Sequence, residues 1–338
     1  MTARGWFLFA LMGVIWGIPY LMIKVAVEGV SASGVVFVRC VIGAALLLPF
    51  ALRQGGFGEV LRRHWKPMLA FAVLEILLPW LTLTDAERRL SSSTTGLLIA
   101  VVPIIALVVT RAAGRFLGEA EQLGPRRLAG LGLGLAGVAV LTLPHLSGGD
   151  AWSLTEVLIT AIGYATAPLI VARRLQDVPT LQLITPCLLL AAVVYAPAAV
   201  LTWPGTAPSA QVWASLAGLG VVCTALAFIA FLELIREVGP SRSVVITYLN
   251  PAVAVAAGVV LLGEPLTAGV LTAFALILAG SVLATATRSG GRAAPQDAPT
   301  ALPEGDGTDR TDATDRVDGT DRVDGTDRVA GTGRTPAR

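Results

Sequence analysis

Residues Ile15–Cys40, "IWGIPYLMIKVAVEGVSASGVVFVRC", lie between "GWFLFALMGV" and "VIGAALLLPFAL", two flanks that are almost purely apolar. Within this run stand Lys24 and Arg39. A soluble domain has no use for so continuous an apolar stretch, and a membrane span has little room for charge. What the two cations do there depends on what kind of chain surrounds them.

The rest of the chain answers that first question. It is 54% hydrophobic and 14% charged, with a mean hydropathy of +0.73, too apolar for an ordinary soluble domain. The charge is also unevenly spread, because residues 288–338 hold 18 of the 48 charged side chains. Apolar runs of about 18 residues or more recur before that point, as transmembrane helices require. The chain reads as an all-α polytopic membrane protein. A net charge of +2 with no basic aromatic patch excludes nucleic acid as a partner. Cys40, Cys187 and Cys223 all fall inside apolar runs and read as small buried hydrophobes, not as metal ligands or a redox pair. The first apolar run is full length and lacks a small-residue cleavage site, so it reads as a span and not as a signal peptide.

Apolar runs read against charged and Pro/Gly breaks predict ten spans: 6–27, 34–52, 66–85, 92–112, 127–143, 153–172, 180–202, 211–235, 242–262 and 267–287. With the N-terminus inside, 15 Lys and Arg residues flank cytoplasmic ends, against only Arg88 and Arg89 outside. That bias predicts a multi-pass protein of the plasma (inner) membrane with both termini cytoplasmic. Beyond Arg288, "GTDRTDATDRVDGTDRVDGTDRVAGTGR" offers almost nothing to bury, and 288–338 is expected to be a disordered cytoplasmic tail.

A shift of 148 residues aligns the two halves of the chain. Pro49 meets Pro197, Ala44 meets Ala192, Arg88 meets Arg236, Pro103 meets Pro251, and Asp85 meets Glu233. Past the fourth span the offset shortens, and "EQL" at Glu121 answers "EPL" at Glu264, each glutamate 16 residues ahead of a glycine, Gly137 or Gly280. Five spans is an odd number, so the second repeat, 147–287, enters the membrane the other way up from the first, 1–146. Inverted repeats rocking about a midplane site are a transporter architecture.

Several of these stretches resemble the EamA-like transporters of the drug/metabolite transporter superfamily. The resemblance covers about residues 5–287 and rests on "IWGIPYLMIK", "FVRC", the mid-helix prolines of the fourth and ninth spans, "GEAEQL…LAGVAVL" and "LGEPL…LAGSVL". It implies family positions at Trp16, Gly17, Lys24, Arg39, Glu121 and Glu264, and it implies transport, with export as the direction. The loop before the second span departs from it, having "SASG" where the family pattern has a proline.

The intramembrane polar residues are the site candidates. Trp16, Tyr20 and Lys24 follow at i, i+4 and i+8 and share one helix face. Glu75 lies about 13 Å past Lys66 along the third span, near the middle of a core about 30 Å thick. Under the 148 shift Lys24, Arg39 and Glu75 become Ala172, Cys187 and Cys223. One half therefore builds its bundle without these charges, which favours a polar cavity over snorkelling as their place. Tyr248 and Asn250 precede Pro251, whose missing N–H loosens the local ladder. Glu121 and Glu264 read as helix caps.

The expected function is a secondary transporter, an exporter of a small polar or amphipathic metabolite such as an amino acid. It would work by alternating access with a proton as candidate coupling ion. The substrate site would be Trp16, Tyr20, Lys24, Arg39, Glu75, Tyr248 and Asn250. No Gly-rich nucleotide loop or metal spacing occurs, so neither cofactor nor metal is expected. The alternative is a membrane-embedded enzyme or lipid-modifying protein without transport activity. It lacks a catalytic constellation, since His64 and His145 are the only histidines and stand far apart. The oligomeric state is open.

Overall fold

The structure, a computed structural model, describes residues 2–116, 124–147, 151–238 and 249–285. These residues are helical, with no strand among them. Glu121, Tyr248 and the tail 288–338 lie outside the described residues. Seven helices are long and apolar enough to cross a membrane, and three shorter apolar helices accompany them at Leu128–Leu143, Asn250–Leu262 and Ala268–Leu283.

The helices begin and break where the sequence supplies caps and prolines. Helix α1 (Ala3–Gly17) opens on Thr2, whose hydroxyl accepts from the Gly5 N–H at 3.0 Å. It gives way to α2 (Pro19–Ala26) at Ile18, because Pro19 has no N–H to continue the ladder. Helix α3 (Ala32–Arg53) is capped by Ser31. Gly55 and Gly56 then turn the chain with φ of +74° and +68°, a region open to glycine at little cost. Helix α4 (Phe57–Ala72) starts nine residues before the expected onset of the third span. Its first turns carry Glu59, Arg62, Arg63 and His64 alongside exposed Leu61 and Trp65. Hydropathy marks only the part that can enter a membrane, whereas helical hydrogen bonding continues through this amphipathic lead-in.

A π-helical turn, Val73–Leu77, joins α4 to α5 (Leu78–Ala86). The fourth span is likewise interrupted, as α6 (Ser92–Ile99) and α7 (Val102–Phe116), with Pro103 just past the break. Then come α8 (Pro125–Ser147), α9 (Ala151–Arg174) and α10 (Thr180–Leu201). Helix α11 (Ala210–Gly220) passes through a second π-helical turn, Val221–Leu226, into α12 (Ala227–Val238). The two π turns start 148 residues apart, the register in which the halves of the sequence align. Asn250 and Pro251 open α13 (Asn250–Leu262), and α14 (Ala268–Thr285) ends the described chain.

Packing is helix on helix. Helix α3 lies along α10, α8 along α14, α5 on α9, α6 on α13, α2 on α11, and α1 on α12. Glycine sets the closest approaches, as expected where small residues let helices meet in lipid. A Cβ on Gly280 would lie 2.4 Å from the Gly134 nitrogen, and one on Gly163 would lie 2.4 Å from the Leu74 carbonyl oxygen in the first π turn. The glycines that answered each other in the sequence, Gly137 and Gly280, both sit in the α8–α14 contact.

Candidate functional site

Arg39 projects from the middle of α3 into the seam between the two halves. Its Nε donates to the Thr224 hydroxyl at 2.9 Å, and its guanidinium carbon lies 3.7 Å from the centroid of the Trp80 ring. Thr224 belongs to the second π turn and donates in turn to the Leu219 carbonyl five residues back, at 2.8 Å. The threonine is thus held by the irregular backbone, and the arginine is held by the threonine and by stacking on Trp80 of α5. Among the described residues Nε is the only Arg39 nitrogen with a hydrogen bond, which leaves the planar end of the guanidinium unclaimed.

Glu75 stands in the first π turn, the counterpart of the second. Such turns insert a residue into the ladder and recur at functional sites. Pro79 cannot donate back towards Glu75, and the Tyr195 hydroxyl of α10 donates to the nearby Leu77 carbonyl at 2.7 Å. Glu75, Arg39 and Tyr164 of α9 are each half-buried. Tyr164 is the electrostatic neighbour of both Glu75 and Arg39, and it also faces Trp80. Tyr20, 8% exposed on α2, lies within electrostatic reach of Arg39 and Tyr164, and its ring bears on Gly96.

The remaining candidates sit elsewhere. The Lys24 ammonium donates to the carbonyls of Glu87 and Leu90 at 2.7 and 2.8 Å. The first is the carbonyl of the residue that closes α5 and the second lies in the turn before α6, so Lys24 serves as a cap reaching across from α2. Trp16 packs on Phe231 of α12, ring centroids 4.7 Å apart, within a cluster that includes Met12, Ile15 and Ala227. Asn250 begins α13, and its Oδ1 is buried with no partner among the described residues. Its carbonyl lies 3.1 Å from where a Cβ on Gly17 would stand, so the Trp16–Gly17 pair brings α1 against α13. Glu264 is a cap, but of α6 and not of the α14 that follows it. It accepts from the Ser92 and Ser93 N–H groups at 2.7 and 3.0 Å and from the Ser93 hydroxyl. Burial alone would push its carboxyl up, yet these donors outweigh that and hold it below the usual glutamate range.

Sequence reasoning missed Tyr164, Trp80 and Thr224. Tyr164 carried a readable signal, a lone phenol among Gly163, Ala165 and Ala167 in an apolar span. Thr224 and Trp80 carried none, because which helix faces which is not a local property.

The arrangement can hold an anionic group at the end of a stacked guanidinium and a cationic group or proton at a carboxylate, with phenols between them. Known proteins narrow what it serves. The model of the EamA-like transporter family matches the chain twice, over residues 3–143 and 151–286. The inner membrane transporter YedA of Escherichia coli K12 is 29% identical over 283 residues, covering 82% of this chain and 89% of that protein. A Streptantibioticus cattleyicolor protein named "Probable terminal-alkyne amino-acid exporter" is 27% identical over 285 residues, covering 80% and 89% respectively. A solved crystal structure superposes with a TM-score of 0.61 at 20% identity, over 84% of this chain and 98% of that one, a likeness of fold alone. With the family pattern matched across both halves of a chain rich in membrane-crossing helices, this membrane transporter belongs to the EamA-like transporter family.

Proposed function

We propose that the chain is a secondary transporter of ten spans, arranged as two inverted five-helix repeats, 1–146 and 147–287, with both termini cytoplasmic. It exports a small zwitterionic or carboxylate-bearing metabolite of the amino-acid class by alternating access. The observation that carries this is Arg39: a charge from the first repeat, fixed by Thr224 of the second, with the planar end of its guanidinium unclaimed. A substrate carboxylate pairs there bidentately, and its ammonium turns towards Glu75. Tyr20 and Tyr164 line the space between, while Trp16, Lys24 and Asn250 shape the helices around it.

The repeat reading is supported by the packing. Exchanging the first span with the sixth, the second with the seventh, and so on, maps the most extensive packed pairs onto one another: α3 with α10, α8 with α14 and α6 with α13 map onto themselves, while α5 with α9 and α12 with α1 exchange. The two π turns obey the same exchange. Proton coupling through Glu75 fits a carboxyl with no salt bridge among the described residues, free to alternate between proton and substrate. The amino-acid class is favoured by the Streptantibioticus relative's name and by the presence of one cation and one acid that share Tyr164 as a neighbour.

The test is flux. Proteoliposomes holding this chain alone, screened with labelled amino acids, exchange at least one of them. Glu75→Gln keeps exchange and loses accumulation driven by a pH gradient. If the mutant responds to the gradient as wild type does, Glu75 is not the coupling group. If no amino acid moves, the substrate class is wrong.

A further inference from the structure

Glu87, in the turn between α5 and α6, is 0% exposed, and neither of its carboxyl oxygens has a hydrogen-bond partner among the described residues. Three charged or titratable groups face it. Lys24 and Tyr20 come from α2, and Glu264 comes from the loop before α14. None of them serves it. The Lys24 ammonium is spent on the main-chain carbonyls of Glu87 and Leu90, and Glu264 is held by its donors on Ser92 and Ser93. The Ser92 hydroxyl beside them is likewise buried without a partner.

A carboxylate cannot rest unpaired out of water, because its lost hydration is returned by nothing. A neutral acid can. We propose that Glu87 is a proton-binding site built where three turns meet, filled when this end of the bundle is closed and emptied when the turns part and water enters. Burial, the largest effect, raises the affinity of Glu87 for the proton; the charge of Lys24 opposes it without cancelling it, and the charge of Glu264, smaller still, adds to burial. In the orientation proposed above this end is external, so closing it takes up one proton from outside and opening it returns that proton there, and external acid favours the closed state. Only that last step rests on the transport reading.

The site is tested without substrate. In the full-length protein, Glu87→Gln replaces a group whose folded form must stay protonated, so its advantage appears as pH rises. Its Tm relative to wild type is expected to climb between about pH 5 and about pH 9, and to converge with wild type in acid. Glu87→Asp, which still titrates, keeps a wild-type slope. Opening is read separately by an impermeant thiol reagent on Leu90→Cys, a position 1% exposed when closed. The labelling rate with Glu87 present, divided by the rate in Glu87→Gln, cancels the thiol's own titration and rises with pH by up to about tenfold per unit. A flat Tm difference, a Glu87→Gln protein less stable than wild type at high pH, or a flat labelling ratio each overturns the site. A pH-dependent difference without amino-acid flux keeps the site and sinks the transport reading instead.

Discussion

Arg39→Lys separates charge from geometry. Lysine keeps the positive charge but has no Nε to donate to Thr224 and no planar face to lie on Trp80, contacts that stand at 2.9 and 3.7 Å. A hydrogen bond from a charged donor contributes about 1.5–3 kcal/mol and a desolvated cation–π contact about 0.5–2 kcal/mol. An ammonium recovers part of both, so the net loss of positioning is about 2–3 kcal/mol, roughly 30- to 160-fold in apparent affinity. Thr224→Val removes the hydrogen bond alone and costs about 1.5–2 kcal/mol, roughly 10- to 30-fold. The losses do not add in the double mutant, because the second change removes a contact already gone. The assay is concentration-dependent exchange in proteoliposomes, using whichever labelled amino acid wild type moves, normalised to reconstituted protein. Exchange by Arg39→Lys within about twofold of wild type, or strict additivity with Thr224→Val, refutes Arg39 as the carboxylate-binding group.

Other outcomes follow from the packing and the caps. Glu264→Gln loses a charged acceptor from three donors on α6, a destabilisation of about 2–4 kcal/mol read by thermal unfolding. Since the folded carboxyl sits below its unfolded range, the Tm deficit is full above about pH 5 and shrinks as pH falls through the folded value. Gly280→Leu drives a side chain into the Gly134 backbone and lowers Tm through overpacking of about 1–3 kcal/mol or more, whereas Gly132→Ala, with nothing within 4 Å, is close to neutral. Cysteines at Ser147 and Ala207 are labelled from outside by an impermeant thiol reagent and one at Gly56 is silent in intact cells; the reverse pattern sinks the inverted orientation.

The sequence by itself determined that the chain is helical with several segments apolar enough to cross a membrane, where most of those helices stop, and the 148-residue separation at which the two π-helical turns start. Each is written along the chain, in a local average of hydropathy, in a capping serine or proline, or in matches at a constant separation. It also singled out Arg39 and Glu75, because a charge in an apolar run is conspicuous wherever its helix faces. The tertiary structure alone decided what such charges meet. Lys24 and Arg39 look alike in "IWGIPYLMIKVAVEGVSASGVVFVRC", yet one caps α5 and the other stacks on Trp80 beside Thr224. Glu87 stands next to Arg88 and Arg89 past the end of the third expected span, yet it is fully buried against α2 and the α13–α14 loop. The difference is the rotation of each helix about its own axis and the choice of its neighbour. Both are set by close packing at residues such as Gly17, Gly163 and Gly280, which sequence periodicity in an all-apolar helix does not record.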